Sequence, residues 1–168
     1  MAVEPATAEP FDPEGVVWTP VSPRLATARR TVLAIFHGAV LVVITVIGLL
    51  LLPTWVWVLA DLAPVALLAF GWALAGRQAR AIGYAEREDD LLVRRGVMVR
   101  NLVVVPYGRM QYVDVTAGPL DRRLGLATVT LHTAAAATDA SVPGLLADEA
   151  ARLRDRLAAL GEARQAGV

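Results

Sequence analysis

The sequence predicts an α+β membrane protein in which a two-helix transmembrane hairpin precedes a bent antiparallel β-barrel capped by a C-terminal α-helix. Two long apolar runs flank Pro53. Short runs rich in Val, Leu and Thr follow, separated by Gly, Pro and charged pairs, and a stretch with helical periodicity closes the chain.

The balance of residue types agrees with that class. Hydrophobic residues make up 56% of the 168 and the mean hydropathy is +0.52, above the roughly 45–50% apolar share of soluble domains. Formal net charge is zero and all sixteen basic residues are Arg, so the placement of each Arg says more than the total. Cys is absent and His occurs twice, which excludes disulfides, thiolate metal sites, a cysteine nucleophile and a His-rich zinc site. No metal or cofactor is expected.

Residues 1–23 carry five prolines and four acids and read as a disordered tail, because such a segment buries little and breaks regular elements. The tail lacks the basic start and short apolar core of a secretory signal, so the chain is expected to begin in the cytosol and keep its N-terminus.

Thr31 to Leu52 contains no formal charge and at about 1.5 Å per residue spans a hydrocarbon core of about 30 Å. Thr54 to Gly76 is a second run, interrupted only by Asp61 and Pro64. Residues 24–80 are therefore expected to form an antiparallel hairpin with spans at 31–52 and 54–76. A single helix over both runs is excluded, since Pro53 breaks the hydrogen-bond ladder and no bilayer is that thick. Arg24, Arg29 and Arg30 precede the first span, Arg77 and Arg80 follow the second, and the connection has none. That asymmetry places both termini in the cytoplasm of a two-span cell-membrane protein. Trp55 and Trp57 fall at the outer boundary and Trp18 and Trp72 near the inner one, as an interfacial belt or as packing between helices.

Residues 81–161 form the soluble part. Strands are predicted over 82–87, 90–95, 97–105, 110–116, 126–133 and 138–142, with turns at Asp89-Asp90 and Arg95-Gly96. Leu146, Ala150, Leu153, Leu157 and Leu160 share one helical face, which predicts a helix over 145–160 that ends at Gly161, with a flexible tail at 162–168.

Three segments carry a family resemblance: Leu91-Leu92-Val93-Arg94-Arg95-Gly96-Val97, Val104-Val105-Pro106-Tyr107-Gly108-Arg109-Met110-Gln111-Tyr112-Val113 and Gly118-Pro119-Leu120-Asp121-Arg122-Arg123-Leu124-Gly125-Leu126-Ala127. Together with the preceding hairpin they resemble the membrane-flanked bacterial pleckstrin-homology-like domain family. The resemblance covers roughly residues 82–160 and implies a PH-like fold and membrane topology, without a reaction, ligand or active site. The small residues at Ala134–Ala137 depart from the pattern and leave the pairing register of 126–142 open.

Between Arg94 and Arg123 stand six Arg against Asp114 and Asp121, a local positive excess that an anionic leaflet attracts. Arg122 and Arg123, in the Gly118–Gly125 loop, are the first candidate binding pair, and Arg109 the next. The ordinary reading is that these are solvated or hold loop carbonyls. His37 and Asp61 are the ionisable groups inside the spans and so candidate intramembrane polar sites. The helical rise separates them by about 10 Å in depth, which argues against direct pairing. A histidine near the headgroups and an outward-snorkelling aspartate are the plain alternatives. His132 with Asp139 nearby could be imagined as a base, but a strand-edge histidine is the commoner explanation. With no phosphate loop and no catalytic constellation, the chain is expected not to be an enzyme. It is expected to be an adaptor or self-assembly module that binds a protein partner or its own copy, with lipid headgroup contact and no nucleic acid or small-molecule substrate. The alternative is an accessory subunit of a transport complex in which Asp61 acts.

Overall fold

The computed structural model describes residues 11, 13, 15–134 and 138–166. Most of the expected N-terminal tail, residues 135–137 of the Ala134–Ala137 turn and residues 167–168 lie outside them.

Strand β1 (Thr19–Pro20) leads into helix α1 (Arg24–Leu51), and helix α2 (Thr54–Arg80) returns the chain to strand β2 (Gly83–Glu86). The two helices have 28 and 27 residues, about 40 Å each, and both are long and apolar enough to cross a membrane. Each extends beyond the expected span toward the domain: α1 begins at Arg24 rather than Thr31, and α2 continues to Arg80 rather than stopping at Gly76. The backbone keeps its hydrogen-bond ladder where the side chains turn from apolar to basic, because nothing at the bilayer boundary obliges a helix to end.

These extensions enter the soluble core. Val21, Leu25, Ala79 and Ile82 pack in the same cluster as Tyr84, Leu91, Val93, Leu131 and Val142. β1 pairs antiparallel with β2 through Thr19↔Tyr84 and Pro20↔Gly83. Residues 19–22, expected within the disordered tail, are thus part of the fold, and the hairpin is inserted between two neighbouring strands rather than placed ahead of the domain.

The remaining elements are β3 (Asp90–Arg95), β4 (Asn101–Pro106), a 3-10 turn at Tyr107–Arg109, β5 (Met110–Thr116), helix α3 (Pro119–Leu124), β6 (Leu126–Thr133), β7 (Ala140–Leu146) and helix α4 (Ala147–Ala166). They form two antiparallel sheets, ordered β1-β2-β3-β4 and β5-β6-β7. β6 alternates buried and half-buried side chains along its length, as a strand over a core must. The β6–β7 register, open in sequence, runs from Leu126↔Leu146 to Leu131↔Ala140 with a bulge between Ala127 and Val129.

Four local expectations change. β4 begins at Asn101 rather than 97, because Gly96 adopts φ +104° and residues 96–100 turn the chain before pairing resumes at Arg95↔Asn101. The expected loop at 118–125 contains α3, with Pro119 at its start and Gly125 left-handed at its end. Leu146 belongs to β7, not to the closing helix. That helix passes through Gly161, which is buried where a Cβ would meet Met110 at 3.4 Å, so this glycine is a packing contact and not a stop. Ala150, Leu153 and Leu157 on α4 are fully buried, and α4 covers the core from one side.

Candidate functional site

The turn between β3 and β4 carries Arg94 and Arg95 on one arm and Arg100 on the other. It lies against the last turn of α2, which supplies Arg77 and Arg80. These five arginines line one cavity of about 500 Å³ together with Phe11. Arg94 lies over the Trp18 ring at 4.3 Å, a cation–π contact that gives this tryptophan a role in the domain. Gly96 is obligatory here: a Cβ would sit 1.9 Å from the Val99 carbonyl oxygen. The tip that Gly96 creates, Val97-Met98-Val99, is exposed and shares a second cavity with Leu74, Gln78 and Arg29.

Of the residues singled out in sequence, Arg122 and Arg123 stand exposed on α3, beside the root of α1, where the Arg24 guanidinium donates to the Leu124 carbonyl at 3.2 Å. Arg109 is exposed at the end of the 3-10 turn. That is the opposite end of β4 from the arginine cavity, about 20 Å away at strand rise. The structure therefore does not bring Arg109 to the cavity, and neither Arg122 nor Arg123 lines it. Sequence reasoning overlooked the junction of Arg77 and Arg80 with Arg95 and Arg100. The available signal was the spacing of Arg95-Gly96 and Arg100 around three apolar residues.

Inside the hairpin, His37 Nδ1 lies 2.9 Å from the Leu33 carbonyl of its own helix. Thr45 on α1 donates to Asp61 Oδ2 at 2.9 Å, and Asp61 Oδ1 is buried with no hydrogen-bond partner among the described residues. The two ionisable groups thus have separate partners. Trp57 packs on Gly48 and Arg30 lies 5.2 Å from the Trp72 ring centre, so two of the four tryptophans serve helix packing.

At the far end of β6, Asp139 Oδ2 is 2.9 Å from His132 Nδ1, and the Thr133 backbone N–H donates to Asp139 Oδ1 at 2.8 Å. Tyr112 stacks on His132 with ring centres 4.4 Å apart. This clasp closes the β6–β7 connection, with both Asp139 oxygens already engaged. The Thr133 N–H, followed by His132, holds the Asp139 carboxyl below its usual range. A depressed carboxyl contributes its stability above the unfolded value and loses it as pH falls through the folded one. Thr133 amide exchange is therefore expected to stay protected at neutral pH and to open on acidification below about pH 4. In Asp139→Asn the protection is expected to be weakened at neutral pH and to show no such acid step.

A second polar group joins α4 to β2. Glu86 is ion-paired to Arg152 and Arg156 at 3.0 Å each, and Tyr84 donates to Glu149 at 2.6 Å. Burial, and then the bond to Glu149, raises the Tyr84 hydroxyl well above the usual phenol range. Burial pushes Tyr107 up to about 12, and its hydroxyl donates to the Arg87 carbonyl at 3.0 Å. These tyrosines are neutral structural donors. Among the described residues no cluster of three or more His, Asp or Glu could hold a metal.

A family model described as bacterial PH domain matches residues 24–161. The UPF0699 transmembrane protein YdbS of Bacillus subtilis (strain 168) is 42% identical over 77 residues, which are 46% of this chain and 47% of that protein. The match thus spans about half the length of the relative. No solved structure matches the chain.

Proposed function

The chain belongs to the bacterial PH domain family, and from that premise we propose that it is a non-catalytic membrane-anchored interaction module. Its domain, on the cytoplasmic side, offers a sheet edge to a protein partner or to a second copy. The observation that carries this reading is the position of β4 and β5 at the ends of their sheets: among the described residues β4 pairs only with β3, and β5 only with β6. A strand end of a sheet presents backbone N–H and C=O groups that an added strand can use. Tyr112, 59% exposed on β5, provides an aromatic contact beside that edge, of the kind enriched in binding surfaces. Because α1 and α2 are continuous with the core, the edge is held at a fixed height above the bilayer, which lowers the ordering cost of meeting another membrane-bound chain.

A photo-crosslinking residue placed at Tyr112 in intact membranes is expected to give an adduct, and one placed at Arg154, exposed on α4, is not. An adduct of twice the chain mass identifies self-assembly, and another defined mass identifies a partner. Equal labelling at both positions, or none at 112, would overturn the edge as the binding surface.

The unpartnered Asp61 Oδ1 supports a second reading, an accessory subunit whose hairpin packs against other spans. Loss of a membrane complex in Asp61→Asn, with the soluble domain still folded, would favour it over the adaptor.

A further inference from the structure

The β3–β4 turn is layered as a bilayer interface is layered. Among the described residues outside α1 and α2, Val97-Met98-Val99 is the one run of three consecutive large apolar side chains that are exposed, Met98 at 86% and Val99 at 81%. Water does not favour such a tip. Val97, Met98 and Val99 share a cavity with Leu74, and Leu74 lies in the apolar run of the second span. The tip is therefore level with the end of the hydrocarbon-spanning part of α2. One helical turn further toward the domain, about 5 Å, α2 changes from Leu74 to Arg77 and then Arg80. The turn changes with it, from its apolar tip to Arg95 and Arg100.

Among the described residues, those lining the cavity at that basic level include five arginines and no acid. Arg77, Arg80 and Arg95 have no ion-pair partner among the described residues. Guanidinium groups match phosphate oxygens with paired N–H donors, and three such groups converging from two elements form a site for one compact anion. A cavity of about 500 Å³ has room for a phosphate group and not for a large folded ligand. On α2 its lining begins at Arg77, directly after the apolar run ends, the level at which lipid phosphates border a span of that length.

We infer that Val97-Met98-Val99 inserts into the membrane interface and that Arg77, Arg80 and Arg95 bind the phosphate of an anionic phospholipid headgroup beside it. The chemistry shared with other candidates is a phosphate monoanion or dianion, and the lipid source is set by the tip. The domain then has two attachments to the bilayer, the hairpin and this turn, which together fix its tilt as well as its height.

The chain has no cysteine, so Met98→Cys and, as a reference at the start of β5, Gln111→Cys can each carry one fluorophore in the full-length protein. In phosphatidylcholine vesicles containing phosphatidylglycerol, a nitroxide on the upper acyl chain is expected to quench the label at 98 strongly and that at 111 weakly. In detergent, native mass spectrometry is expected to show phosphatidylglycerol retained in preference to phosphatidylcholine. Soluble glycerol phosphate is expected not to displace it. Arg77→Ala, Arg80→Ala and Arg95→Ala are expected to weaken that retention about fivefold per arginine, and Arg109→Ala to leave it unchanged. All three positions are exposed, so the variants keep the core intact, and a thermal melt equal to that of the parent confirms it. Equal quenching at 98 and 111 would overturn insertion. An unchanged lipid preference in the triple variant would overturn the site, and displacement by glycerol phosphate would assign it to a soluble phosphate compound instead of a lipid.

Discussion

Gly144→Val is expected to detach the soluble domain from its membrane hairpin. Gly144 lies in β7 with φ +76°, and a Cβ there would stand 2.8 Å from both Cβ and Cδ2 of Leu25 on α1. The same residue accepts the Ser22 backbone N–H at 2.9 Å, so strand and helix root touch through backbone on one side and through Leu25 on the other. The site imposes a left-handed conformation on the β-branched valine, which also overpacks a closed contact, together on the order of 3 kcal/mol or more. Hydrogen exchange of the full-length protein in micelles is expected to show faster exchange across β1, β7 and the first turn of α1, while the membrane-spanning part of α2 stays protected. Gly144→Ala is expected to give a smaller effect of the same pattern. Uniform loss across both sheets would mean that the contact is integral to the whole domain rather than a junction.

Gly48→Leu is expected to open the hairpin at its far end. A Cβ at residue 48 would fall 2.2 Å from Trp57 Cβ and 2.5 Å from its Cγ, atoms close to the backbone that a rotamer change cannot remove. The helices therefore must part or shift, at a cost of about 1–3 kcal/mol. Close approach through small residues is what holds helices together in lipid, where no hydrophobic force adds to it. Spin labels at the exposed positions Val42 and Val65 are expected to show a longer and broader distance distribution in Gly48→Leu than in the parent. Trp57→Gly is expected to restore the parent distance in a Gly48→Ala background, because it removes both the Cβ and the Cγ in collision. An unchanged distance in Gly48→Leu would show that Trp57 relaxes without moving its helix.

Much of this architecture was legible along the chain. The two apolar runs and Pro53 identify the hairpin because hydrocarbon thickness is a fixed length that a helix must match. Ala150, Leu153 and Leu157 identify the inner face of α4 because helical period alone sets which side chains share a face. The glycine at 161 misled, since a glycine marks a helix end only when its conformation is left-handed, and here it is kept for contact with Met110. The 118–125 segment misled in the opposite way: six residues are too few for a periodic signal, and only Pro119 and Gly125 mark the ends of α3.

The candidate site was less legible than the fold. Arg122 and Arg123 stood out as a pair adjacent in sequence, and they lie on α3 away from the arginine cavity. The cavity joins arginines from the end of α2 with arginines from a turn some twenty residues later, and no local pattern announces that meeting.

By itself the sequence determined the two candidate spans, the α+β class, the closing helix and the absence of thiol chemistry, each a consequence of composition or of a short-range period. Tertiary structure decided the rest. It threaded the membrane hairpin between β1 and β2, because Thr19-Pro20 has too few residues to pair unless β2 is brought beside it. It placed β4 and β5 at the ends of their sheets among the described residues, and it brought the apolar tip of the β3–β4 turn beside Leu74. These are relations between segments distant along the chain. They follow from how the helix roots pack into one core with both sheets, a long-range constraint that no local stretch of residues encodes.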